Sequence, residues 1–100
     1  MDNKSVYWPK TMPKESNEFA QEMLRELDRA RLKFPSPVCC LAALTEEVGE
    51  LAQAMLKVAA GKWDAQRIYE EAVQVAAMAA RCAIEGDESL NACGYSENNQ

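Results

Sequence analysis

Apolar positions recur at helical spacing in three stretches of this chain, and no stretch shows sustained alternation. In ESNEFAQEMLRELDRARLKF, residues Phe19, Met23, Leu24, Leu27 and Ala30 return every three or four positions, which predicts a first amphipathic helix. Phe34-Pro35-Ser36-Pro37 interrupts it. Ser36 is a good N-cap and Pro37 suits a first helical position, so a second helix is expected from there to about Ala60, with Gly61 as its stop. After Lys62-Trp63, Asp64 is the expected cap of a third helix that Gly86 ends. The apolar stripe reads Leu44, Val48, Leu51, Met55 and Val58 on the second helix, and Ile68, Ala72, Val75, Ala79 and Cys82 on the third. The link Gly61-Lys62-Trp63 is short enough to make these two helices antiparallel neighbours. The expected class is all-α, a helical bundle. Residues 1–14 carry two prolines and no helical period and read as an N-terminal arm. Its Tyr7 and Trp8 are apolar enough to pack against the rest of the protein or a neighbouring subunit. A helical domain over 15–92 and a flexible C-terminal tail over 93–100 complete the expected organisation.

Composition adds a second expectation. With 100 residues, the chain buries less than about 70% of the surface its unfolded form exposes, and much of its 48% apolar content is alanine, which buries little area. A core completed by homo-oligomerisation, as a homodimer or homotetramer, follows. The net charge of −5 argues against a duplex nucleic-acid partner, which requires a basic face. It does not argue against a nucleotide substrate, because a divalent cation reverses the local sign of an acidic site. There is no apolar run of membrane-spanning length, and MDNKSVYWPK lacks the apolar segment of a signal peptide, so the expectation is a cytoplasmic protein with no membrane partner.

Four cysteines, at 39, 40, 82 and 93, form no CxxC pair, and there is no histidine. Buried, reduced thiols are the expectation. The missing histidine rules out Ser-His-Asp and Cys-His nucleophile systems and the Glu-x-x-His di-iron bundle.

What chemistry remains lies in carboxylates. The second helix contains Thr45-Glu46-Glu47-Val48-Gly49-Glu50-Leu51, the third Tyr69-Glu70-Glu71-Ala72-Val73-Gln74. At 3.6 residues per turn, Glu47 and Glu50 lie about 60° apart on one side, and Glu71 and Gln74 repeat the arrangement on their own helix. Both pairs border an apolar stripe, so packing the stripes brings the pairs towards each other. Oxygen ligands at i and i+3 on facing helices suit a hard cation such as Mg²⁺, with Mn²⁺ as a substitute. Without a cation, two carboxylates at about 4 Å repel by about 4 kcal/mol at an effective dielectric near 20. A lone EExxE is ordinarily a solvated face, and Glu70 and Glu71 could equally supply charge to the first turns of their helix. The pairing of two such sets is what points to a metal.

The residues EEVGE over 46–50 and EAVQ over 71–74, within LTEEVGELAQAMLK and EEAVQVAAMAARCAIEGD, resemble the MazG-like all-α nucleoside triphosphate pyrophosphohydrolases, whose pattern is EExxE, a spacer, then ExxD. The related dCTP pyrophosphatases and dimeric dUTPases share this helical metal-site logic. The resemblance covers roughly residues 37–87. It implies Glu47 and Glu50 as the first pair of metal ligands and Glu71 as the third. Gln74 stands where the family usually has aspartate, and its amide oxygen is a weaker, uncharged ligand that a neighbour such as Glu70 would have to supplement. The implied activity is conversion of a (d)NTP and water to a (d)NMP and pyrophosphate, in house-cleaning or control of the nucleotide pool.

That reaction needs a group to orient and deprotonate water, and metal-bound carboxylates are poor bases. Glu46, turned about 100° from Glu47, is the candidate. Lys57 and Arg81 follow Glu50 and Gln74 by seven residues, returning to nearly the same angle, and are candidates for a triphosphate clamp. Lys57 could equally offset the dipole of its helix end, a reading that suits Arg81 less well. Lys62 and Arg67 are weaker candidates. Trp63 is the candidate stacking surface for the base, or else a plug over the helix ends. Phe19 could line the same pocket, with Tyr7, Trp8 and Tyr95 contributing from the arms. Two other readings stay open: a non-catalytic oligomerisation or adaptor module, and a sibling pyrophosphohydrolase acting on another pyrophosphate compound such as phosphoribosyl-ATP.

Overall fold

A computed structural model describes residues 15–36, 39–87 and 90. Three helices form, α1 (Ser16–Lys33), α2 (Cys40–Ala59) and α3 (Gln66–Glu85), and there is no strand among the described residues. The all-α expectation holds. None of these helices is long and apolar enough to cross a membrane. Tyr7, Trp8, Pro37, Cys93 and Tyr95 lie outside the described residues, as do the arm and the tail.

The helix ends show local chemistry at work. At the start of α1, the Glu15 N–H donates to the Glu18 carboxylate at 3.2 Å. At the end of α2, Gly61 N–H donates to Val58 C=O and Lys62 N–H to Lys57 C=O. This is the Schellman pattern, and Gly61 takes the φ of +77° that it requires. Asp64 Oδ1 accepts from Gln66 N–H at 2.8 Å and covers the first turn of α3, as its sequence position predicts. Ser36 departs from expectation. Its hydroxyl donates to Glu85 at 3.0 Å, and α2 begins only at Cys40. The cap for α2 is tertiary: Leu41 N–H donates to Asp87 Oδ2 at 2.7 Å, from just beyond the end of α3.

The central element is α3, which packs on both α2 and α1, whereas α1 and α2 barely touch. It runs antiparallel to α2, with Cys82 beside Cys40 at one end and Ile68 against Ala54 and Val58 at the other. It runs parallel to α1, because Phe19 meets Tyr69 near the helix starts and Arg31 meets Glu85 near the ends. Serving two neighbours requires two faces, so Tyr69, Val73, Ala77 and Arg81 are buried along with Ile68, a wider arc than one stripe.

The stripe expected on α2 is rotated in the structure. The residues buried or half-buried towards α3 are Cys40, Leu44, Glu47, Leu51, Ala54 and Val58, spaced four and three. Val48 and Met55 are exposed instead, together with Leu41 and Leu56. On α1, Leu24 is exposed while Leu27 is buried; on α3, Ala79 is exposed. The reason is compositional. Leucines, valines and alanines surround α2 on most sides, so apolar periodicity leaves the facing arc underdetermined.

Candidate metal centre and adjoining cavity

The rotation of α2 matters because it moves Glu47 from the edge of the apolar stripe into the packed row between Leu44 and Leu51. Antiparallel packing then sets Glu47 and Glu50 against α3 where it carries Glu71. One carboxylate oxygen from each of Glu47, Glu50 and Glu71 lies within 4.8 Å of the other two. Glu50 is exposed, and Glu47 and Glu71 are half-buried. Oε1 of Glu47 is shielded from solvent and has no hydrogen-bond partner. Burying a polar oxygen without a partner is costly, and for a carboxylate the cost rises with its charge.

The electrostatics agree. Burial pushes the Glu47 carboxyl above its ordinary range, and Glu50, Glu71 and Glu46 push it further the same way. Burial also raises Glu71, with Glu50 and Glu70 adding to the effect and Arg67 opposing it. Like charges crowd together with little to neutralise them. Ligand oxygens on opposite sides of an octahedral Mg²⁺ are about 4.2 Å apart, so a triad within 4.8 Å is slightly wider than a single coordination shell and reaches it by a small inward movement of the side chains. The orphaned oxygen, the crowding and the all-oxygen donor set fit a hard divalent cation.

Beside this triad, α1 and α2 diverge over α3 and leave a cavity of about 690 Å³. Glu46 and Glu47 line it from α2, and Gln74 and Arg81 from α3. Gln74 is therefore on the same side of α3 as Glu47. Glu70 lines a second hollow, between α1 and α3, and Gln74 borders both hollows, so Glu70 stands next to Gln74 but outside the lining of the cavity that holds Glu47. Glu46 is exposed at the cavity, one residue from the triad.

The remaining candidate residues are engaged elsewhere. Trp63 packs against the Ala54, Val58 and Ile68 cluster, with Arg67 at 4.0 Å and Lys57 at 5.9 Å from its ring centroid. It closes the end of the α2–α3 pair and is absent from the cavity lining, as are Lys57 and Lys62. Phe19 stacks edge-on against Tyr69, with ring centroids 5.6 Å apart, and belongs to the α1–α3 contact. Arg81 does reach the cavity, but it is only 2% exposed and its donors are committed. Nε and Nη2 bind Glu85, and Nη1 reaches the Ala30 carbonyl. The Arg81 guanidinium, with Arg31 and Ser36, holds the Glu85 carboxyl down at a pKa of about 2.

The cavity wall on α1 was not apparent in the apolar pattern. It presents Arg29, Lys33 and Phe34, and the ring of Phe34 is 57% exposed. A signal was present: Arg29 and Lys33 stand four apart, on one side of a helix, and Phe34 falls outside the repeat of α1.

Compared with family models, with curated proteins and with solved structures, the chain matches none.

Proposed function

We propose that the protein is a Mg²⁺-dependent nucleoside triphosphate pyrophosphohydrolase of the MazG-like kind, converting a (d)NTP and water to a (d)NMP and pyrophosphate. The observation that carries this reading is the shielded, unpartnered Glu47 oxygen within 4.8 Å of Glu50 and Glu71, at the rim of a cavity of about 690 Å³. An adaptor whose acidic faces served only solubility would have no reason to place a glutamate in its helix-helix seam. The cavity is within the range of about 300–1,000 Å³ typical of small-ligand sites.

In this reading Glu47, Glu50, Glu71 and the amide oxygen of Gln74 hold the cation. A bound divalent cation supplies neutralisation of phosphate oxygens. Glu46 orients a water molecule and takes its proton as the water oxygen bonds to the α-phosphorus, while the bond to the bridging oxygen breaks and pyrophosphate leaves. Pool house-cleaning is the role that fits such a reaction. The outer face of α2 leaves Leu41, Val48 and Met55 exposed at intervals of seven residues, which supports a homodimer or homotetramer in which this face is covered. Light scattering across a concentration series, with Val48→Glu as the dissociating variant, tests the assembly.

The activity is tested by incubating standard and modified dNTPs with Mg²⁺ and assaying pyrophosphate and phosphate separately. Release of pyrophosphate is expected. No turnover by wild-type or Gln74→Asp protein would sink the reading. Turnover by Gln74→Asp alone would keep the site and remove the native activity.

A further inference from the structure

The cavity has walls of opposite character. Its α2 wall carries Glu46 and Glu47, while its α1 side carries two cations, Arg29 and Lys33, against the single acid Glu26, with the exposed Phe34 just beyond. A ligand matching both must present a bound cation to one wall and anionic oxygens to the other. The aromatic ring narrows the class further. Lys33 Nζ lies 5.5 Å from the Phe34 centroid, so a cation and a π-face stand side by side. A nucleotide offers the complement, an anionic phosphate chain joined to a flat aromatic base. Arg29 supports the same assignment: its Nε and Nη2 donate to Glu26 on its own helix, but the side chain is 62% exposed and its Nη1 is left to meet a phosphate. Phe34 is an exposed apolar side chain that borders this cavity together with titratable groups.

Resting on the pyrophosphohydrolase reading of the same site, we propose that α1 is the wall that recognises substrate, with Arg29 and Lys33 binding the polyphosphate and Phe34 stacking on the nucleobase. Trp63 and Phe19 are thereby left to packing. Because a π-face accepts any base, this platform selects nucleotides over base-free polyphosphates without strong preference among bases.

The test is calorimetric titration, with Mg²⁺ present, of two probes: an α,β-imido deoxynucleoside triphosphate and inorganic tripolyphosphate. Stacking on one ring contributes about 1–3 kcal/mol, so wild-type protein should prefer the nucleotide by roughly 5- to 150-fold. Phe34→Ala should weaken the nucleotide by that factor and leave tripolyphosphate unchanged, and Phe34→Tyr should restore the preference. Arg29→Gln with Lys33→Gln should weaken both probes by at least tenfold. A Phe34→Ala variant with undiminished nucleotide preference, or a double variant that binds both probes like wild type, overturns the α1 assignment. If wild type nevertheless hydrolyses dNTPs and Glu47→Gln does not, the function stands and only the recognition wall falls. If wild type binds neither probe and hydrolyses nothing, both fall. Phe34 and Arg29 are exposed, so these variants keep the fold, which circular dichroism checks.

Discussion

Two groups of glutamates in this molecule have opposite surroundings. Near the ends of α1 and α3, Glu85 accepts from Arg31 at 2.9 Å, from Arg81 through two nitrogens and from the Ser36 hydroxyl. Midway along the α2–α3 pair, Glu47, Glu50 and Glu71 have mainly one another, and an oxygen of Glu47 has no partner. The first group is electrostatically complete and ties α1 to α3. The second is crowded by its own like charges, with Arg67 opposing them at Glu71. Burial alone therefore does not distinguish a structural carboxylate from a functional one; what surrounds it does.

The comparison is broken most directly by removing charge from each group in turn. Glu47→Gln and Glu71→Gln should each abolish pyrophosphate release while far-ultraviolet circular dichroism stays helical. Glu85→Gln should instead lower the melting temperature, since it leaves the Arg81 guanidinium buried with a weaker partner. Unchanged rates in both triad variants would remove the metal-site assignment. Next in size, Glu46→Gln should cost about 10²- to 10⁴-fold in kcat, the range for a general base, with the response to Mg²⁺ retained. Retention of that response separates a water-orienting role from a ligand role.

Mg²⁺ itself sharpens the contrast. At about a hundred times its dissociation constant, a cation that binds only the folded state stabilises it by about 2.7 kcal/mol. Thermal melts with Mg²⁺ against an ionic-strength control should show that gain in wild type and in Glu85→Gln, and lose it in Glu47→Gln. An equal gain in all three would mean non-specific screening.

The pH dependence should carry both signs. Glu85 has a folded pKa of about 2, below its ordinary 4.5, so its contribution is present above pH 4.5 and is lost as pH falls towards 2. Glu47 and Glu71 are raised above 4.5, so the folded state binds more protons there than the unfolded state. Metal-free protein should therefore lose stability as pH rises from 4.5 through those raised values. Melting temperature followed against pH in chelator should show a maximum, whose alkaline limb flattens in Glu47→Gln. A single monotonic limb would contradict the contrast between the two groups.

Much of this was legible in the residues alone. Three helices, the stop at Gly61, the cap at Asp64 and the antiparallel pairing of α2 with α3 all follow from local rules, because capping, turn geometry and short links act over a few residues. The pairing of the glutamates was legible for the same reason, as i and i+3 positions on two helices joined by a short link. Residues whose neighbours come from distant parts of the chain were not. Phe19 had suitable placement for a substrate site, yet Tyr69 on α3 engages it in packing, and Arg81 is buried where it also reaches the Ala30 carbonyl of α1. The pairs Arg81–Glu85 and Trp63–Arg67, four residues apart, are by contrast local. Ser36 had the right chemistry for a helix cap and bonds Glu85 across the molecule instead.

The sequence by itself determined the helices and the carboxylates they carry, because helix formation and i, i+3 spacing are properties of one segment. Only the tertiary structure decided that Glu47 lies in the seam, that Arg81 is buried and reaches the Ala30 carbonyl of α1, and that α1 adds Arg29, Lys33 and Phe34 to the cavity. Those facts depend on the rotation of each helix about its own axis. For helices as rich in alanine as α2, that rotation is set by which neighbours pack against which arc, and apolar periodicity does not contain it.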